Sequence, residues 1–329
     1  MPISSFEDRP AEEVERLVCA IGDELLGAPH VIEMVAALGG TPRAFERFLI
    51  ARGSNVAAAA KMFRETTAFR LKWCYGRAVA TDEDIRLVAP YWPGVYCTPG
   101  GECSNPLVYF QLGEVNPRKI MAEIEEEQFT RYFVNWMETS LRWQAACNER
   151  GAPTSRWRGL IEVHDLKGLS FSQLYVPGLR ALARNIKLGQ DNYPENLAKL
   201  VFINTPFFFY YGYRIVSRAM HPHTRAKVEF HADGGAERLC ELLGSEQAVE
   251  RMLASEGRVG ASSDEHARSM GRDWPGSWAA WAASEPAASD PAAARRPPPL
   301  ASDWARRGVH PARVTCPNFC LLCQLPSFV

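Results

Sequence analysis

The sequence predicts an α/β protein: a helical N-terminal domain followed by a second domain built on a mostly parallel sheet. Three observations carry this. A length of 329 residues suggests about two domains with a sizeable buried core. In the N-terminal part, apolar residues recur at spacings of three and four, the period of a helix face. Further on, short blocks rich in Val, Ile and Phe alternate with helical segments, as strands do when helices connect them. The expected divisions are residues 1–85 for the helical domain, 86–256 for the sheet domain, and 257–329 for a low-complexity tail.

The first helical pattern spans residues 10–26 and is amphipathic. Residues 41–53 form the next predicted helix, with Thr41 as N-cap, Pro42 at the first helical position and Gly53 as the stop. Phe45, Phe48 and Leu49 share one of its faces. Asn55 then caps a helix on which Val56, Ala60, Phe63, Thr67 and Leu71 recur at helical spacing. The density of Pro and Gly from Tyr91 to Gly101 reads as a loop, and Leu107–Leu112 as a strand.

Residues 122–149 read as one long helix with Phe129, Phe133, Trp136, Met137 and Leu141 on one side. Glu123, Glu125, Glu126 and Glu127 near its start complement the helix dipole. Gly159–Asp165 is the next predicted strand, followed by a helix carrying Leu179, Leu182 and Ile186. Lys199–Asn204 and Lys227–His231 are two more short strands. Between them lies a segment dense in aromatics, Phe207 to Tyr213, closed by His221-Pro222. A helix apolar nearly all round is either buried or covers something equally apolar. After about Gly257, Ala, Pro, Ser and Arg accumulate without periodicity, which predicts disorder.

The totals narrow the function. Lys plus Arg is 37 against Asp plus Glu 38, a net charge of -1, so no global basic field points to nucleic acid. There is no run of about 18 apolar residues and no basic region leading into an apolar one, so neither a spanning segment nor a secretory leader is expected. The nine Cys are odd in number and scattered, which fits a reduced, cytoplasmic protein. His221, His223 and His231 match no zinc spacing, and Cys316, Cys320 and Cys323 lie in the tail where a cluster would have no scaffold, so no metal is expected. With no G-x-S-x-G, H-E-x-x-H or P-loop, an enzyme is not expected. Asp165 reads as a structural acid that binds loop amides after its strand.

Four stretches together carry a resemblance. FERFLIARGSNVAAAAKMFRETTAFRLKW at 45–73, HDLKGLS at 164–170, DNYPENLAKLVFINTPFFF at 191–209 and HTRAKVEF at 223–230 stand in the order and spacing of the CRAL-TRIO lipid-binding family. The likeness covers roughly residues 41–250 and is strongest to the yeast phosphatidylinositol/phosphatidylcholine transfer type. It implies a CRAL-TRIO-like domain whose sheet floors a lipid cavity under a mobile gate helix. The gate would comprise Phe207, Phe208, Phe209, Tyr211, Gly212, Ile215 and Val216, with Gly212 as a hinge. The strands would contribute Tyr109, Val163 and Phe202 to the cavity. Such a gate is needed because exposing two acyl chains to water costs on the order of 20 kcal/mol at ~0.8 kcal/mol per methylene.

The resemblance also assigns a phosphoinositide headgroup site: Arg52, Glu195, Thr224 and Lys227. Three departures accompany it. The family's Lys after the Arg is Gly53 here, and the Ser and Thr expected on the strand before DLKG are Leu160 and Glu162. A closing Leu-Pro and Gly-Gly segment is not found after Leu243. The implied function is binding and transfer of phospholipid, with phosphatidylinositol leading, by a non-enzymatic, monomeric protein that visits membrane surfaces peripherally. The implied ligand is the phospholipid, with no cofactor, and lipid kinases are candidate partners. Two alternatives stay open. The cavity could hold a sterol, tocopherol or retinoid, with Arg52 and Lys227 serving membrane docking, or the protein could be a sensor module that does not transfer.

Overall fold

The computed structural model describes residues 9–75, 79–88, 91, 94–97, 105–149 and 159–253. The tail 257–329, with its three cysteines, lies outside the described residues.

Six helices come first: α1 (Ala11–Ile21), α2 (Asp23–Leu26), α3 (Pro29–Ala37), α4 (Arg43–Ala51), α5 (Val56–Trp73) and α6 (Asp82–Val88). The pattern over 10–26 is split at Gly22, whose φ of 92° is outside the helical range. Asn55 caps α5 as expected, accepting from Ala58 N at 3.0 Å. Thr41 does not cap α4. Pro42 holds the cap position, and the chain enters through Gly39 and Gly40 at φ 102° and 72°, with Ala44 N donating to Gly40 O at 2.8 Å. The aromatic face of α4 packs on α5, with the Phe48 and Phe63 rings 5.0 Å apart.

The five-stranded sheet among the described residues has the order β1 (Gly94–Cys97), β2 (Leu107–Gln111), β3 (Leu160–Asp165), β4 (Leu197–Ile203) and β5 (Val228–Phe230). β1 is antiparallel to β2, and every other pairing is parallel. The mostly parallel sheet is therefore as expected, but β1 corrects the reading of Tyr91–Gly101 as a loop. Its GVYC run is only four residues long among Pro and Gly, and the strand exists because Gly94 to Cys97 pair with Phe110 to Leu107.

The predicted helix 122–149 is really two, α7 (Pro117–Glu123) and α8 (Glu126–Glu149). Ile124 leaves the helix at ψ 126°, and Gln128 reaches back to accept from Glu125 N at 3.0 Å, which starts α8. α9 (Val176–Asn192) and α10 (Phe209–Val216) lie over one face of the sheet, and α12 (Ala236–Leu243) and α13 (Glu246–Leu253) cover the other. The short α11 (Pro222–Arg225) leads into β5.

One core unites Phe45, Phe48 and Phe63 of the N-terminal helices with Met137 and Leu141 of α8 and with Tyr193. At its polar centre Arg70 donates twice to Glu138, at 2.5 and 2.8 Å, and the Tyr193 hydroxyl donates to the same carboxylate at 2.8 Å. Burial opposes the Arg70 charge, but Glu138, with help from Tyr193 and Cys74, outweighs it and raises the guanidinium pKa. The neighbouring Cys74 thiol is pushed up to about 12 by burial, so it stays protonated and donates to Glu138 at 3.6 Å. Among the described residues, no helix is long and apolar enough to cross a membrane.

Candidate ligand site

A cavity of about 710 Å³ lies between the sheet and helices α8, α9 and α10. Its floor follows from the two-residue period of strands. Phe110, His164 and Phe202 stand in register across β2 to β4, with successive rings 5.0 and 5.2 Å apart, and Phe230 of β5 continues the row beyond the cavity, 5.3 Å from Phe202. Glu162 and Leu200 complete the floor. Phe133, Trp136 and Met137 of α8 form one wall, and Leu179, Leu182 and Ile186 of α9 the other. A second pocket of about 130 Å³ adjoins it through the shared residues Leu112, Leu179, Leu182, Phe209 and Gly212.

The lid is α10 with the turn before it. Phe209, Gly212, Tyr213 and Val216 line the cavity, and the Phe209 ring meets Phe202 at 4.9 Å. Phe207 is 76% exposed and Tyr211 61% exposed, so these two point away from the cavity. Phe208 is buried and stacks on Phe171 at 4.1 Å, while Ile215 is half-buried and off the cavity wall. Gly212 has a packing role: a Cβ there would come within 2.8 Å of Leu174 Cδ2, so its absence lets α10 lie close to the turn that leads into α9.

All four headgroup candidates, Arg52, Glu195, Thr224 and Lys227, border this cavity. The Glu195 carboxylate, 4% exposed, accepts from Lys227 Nζ at 2.7 Å and lies 3.2 Å from His223 Nε2. Lys227 also donates to Leu197 O at 2.8 Å. Burial raises the Glu195 carboxyl pKa, but His223 and Lys227 more than reverse this, leaving it below the usual range. Glu195 sits at φ 51°, and Arg47 holds that turn by donating to Pro194 O at 2.9 Å and Glu195 O at 3.4 Å. Burial pulls the Arg47 pKa down to about 9, although Glu195 works in the opposite direction. Gly53 explains its own presence: it follows α4 at φ 55°, a conformation that disfavours Lys.

The CRAL/TRIO domain family matches residues 94–252. Residues 94–252 resemble a CRAL/TRIO domain. The chain is 30% identical over 191 residues to the SEC14 cytosolic factor of Candida glabrata, spanning 55% of this chain and 60% of that protein. It is 28% identical over 199 residues to Protein real-time of Anopheles gambiae, covering 58% of this chain but 28% of that one. Patellin-6 of Arabidopsis thaliana is 26% identical over 212 residues, with 61% of this chain and 48% of the relative covered. The crystal structure of Sfh5 shares the fold, with a TM-score of 0.53 at 16% identity over 73% of this chain and 89% of that one. A CRAL/TRIO domain implies a lipophilic ligand.

Within the matched region, two expected cavity residues are elsewhere. Tyr109 and Val163 face the opposite side of the sheet, packed with Leu239, Leu242 and Val249 of α12 and α13. Only Phe202 of the three strand candidates lines the cavity. Leu107 to Phe110 are all buried, so β2 shows no polar alternation that would tell one face from the other. Asp165 is structural, as read: it accepts from Lys167 N, Asn204 Nδ2 and the Tyr109 hydroxyl, each at 2.8 Å. Sequence reasoning missed His223 as a member of the mouth and Arg47 as the buried residue that holds the mouth's turn from behind. The signal for Arg47 was its place between Ala44 and Ala51 on the apolar side of α4.

Proposed function

We propose that this protein binds a phospholipid, with phosphatidylinositol the leading ligand, and carries it between membranes without chemical change. The observation that carries the reading is one apolar cavity whose rim joins Arg52, Thr224 and Lys227 to the buried Glu195. Arg52 suits a phosphate through two parallel hydrogen bonds, and Lys227 adds a charge. Two of the three Lys227 ammonium hydrogens are committed to Glu195 and Leu197, which leaves one for a ligand oxygen. Arg218, exposed on the same rim, offers a further cation where Gly53 supplies none.

The lid supports delivery at a membrane surface. Phe207, Tyr210 and Tyr211 lie exposed on it beside Phe171, an aromatic surface suited to the interface of a bilayer. This reading makes the protein a monomeric, peripheral visitor to membranes from the cytoplasm, with lipid kinases as candidate recipients of the lipid. The test is extraction of the purified protein and identification of the bound lipid by mass spectrometry, together with a vesicle transfer assay. Phosphatidylinositol in the extract is expected. A sterol or an empty cavity would overturn the phosphoinositide assignment.

A further inference from the structure

The cavity has a second polar station, on its floor. Glu162 and His164 lie two residues apart on β3 and therefore on the same face, both lining the cavity. In register with Glu162 are Val108 and Leu200, both buried and apolar, and the His164 ring is held edge-on by Phe110 and Phe202. A carboxylate in such surroundings is costly unless something hydrogen-bonds to it.

His164 Nε2 lies 3.1 Å from Glu162 Oε2, and His164 Nδ1 is buried without a hydrogen-bond partner. A proton on Nδ1 would be stranded, so the neutral tautomer with its hydrogen on Nε2, donated to Glu162, is the consistent one. The pair then presents acceptor oxygen and negative charge to the cavity. Phosphate is repelled from this point, just as the cations of the rim attract it.

We infer that Glu162, oriented by His164, is a specificity site for a hydrogen-bond donor, either a hydroxyl or an amine, on the buried end of a hydrophobic ligand. The inference rests on the carrier reading of the cavity, not on the phosphatidylinositol assignment, since an acyl chain brings no donor to the floor; it adds a preference that the rim residues do not set. Glu162 touches the ligand; His164 positions the carboxylate.

The probes are palmityl alcohol, palmityl amine and palmityl methyl ether, each competing with a tail-labelled fluorescent phospholipid loaded into the intact protein. The alcohol and amine donate a hydrogen bond, whereas the ether only accepts. Both donors are expected to displace the fluorescent lipid at about one tenth of the ether concentration or less, the worth of a hydrogen bond to a charged group. In Glu162→Leu that ratio is expected to fall to about one, with the ether binding no worse than in the unaltered protein. Equal potency of alcohol, amine and ether against the unaltered protein would overturn the donor site while leaving the carrier reading standing. Failure of the fluorescent lipid to load at all would overturn both. The comparison on the unaltered protein decides the matter even where the Leu variant does not fold.

Discussion

Lys227 and Glu195 show how a residue proposed to bind ligand can also hold the fold. Lys227→Ala leaves a nearly buried carboxylate with His223 alone, so a stability loss of about 2 kcal/mol in urea unfolding is expected alongside the loss of phosphatidylinositol transfer. Replacing both residues by Met separates the effects: most of the stability returns, and transfer does not. Transfer equal to that of the unaltered protein in the double variant would remove the pair from the site. Glu229 gives a pH test. Arg238 holds its carboxyl down to about 2, against burial and with help from Lys199. The folded value is depressed, so its stabilising contribution is complete above the ordinary Glu value of about 4.3 and is lost as pH falls from there toward 2. Urea midpoints measured at pH 5 and pH 3 are expected to fall less in Glu229→Gln than in the unaltered protein. At this scale the family resemblance, and not spacing alone, singled out Glu195, Thr224 and Lys227, which border the cavity. The floor was not legible: β2 is buried on both faces and carries no mark of either, and on β3 the alternation of Ile161 and Val163 with Glu162 and His164 separates two faces without saying that the polar one meets the cavity.

Among the elements, α10 and the turn before it divide their aromatic side chains between two environments. Phe209 and Tyr213 seal the cavity, whereas Phe207 and Tyr211 face outward. Phe207→Ser with Tyr211→Ser is expected to slow transfer between vesicles several-fold while leaving the amount of lipid bound in solution unchanged, since neither residue lines the cavity. Equal slowing and loss of bound lipid would instead place these residues in retention. The sequence reading recognised an apolar helix here but not its two faces, because Phe and Tyr look alike in a pattern whether they meet lipid, protein or water. Gly212 was read as a hinge, whereas its contact with Leu174 and Leu179 gives it a reason in packing. The caps tell the same story. Asn55 was legible because its partner lies three residues away, whereas the entry to α4 depends on Gly39 and Gly40, whose left-handed turn no periodicity reveals.

For the molecule as a whole, the helical part and the sheet part share a core. Phe45 and Phe63 lie in one cluster with Met137, Leu141 and Tyr193, and the Arg70–Glu138 pair crosses between them. Residues 86–253 expressed alone would therefore leave Glu138 without its cation and half a core open to water. Circular dichroism and limited proteolysis are expected to show that piece failing to fold, while 9–253 folds cooperatively; independent folding of the shorter piece would contradict the shared core. The order of helices and strands was legible from periodicity. Their union was not, since nothing in a local pattern announces that Arg70 waits for a residue 68 positions later. Arg47 extends the same union to the rim, where it fastens the turn carrying Glu195 to α4. Arg47→Met is therefore expected to free the turn that carries Glu195 and to change the shape of the cavity mouth without touching the sheet.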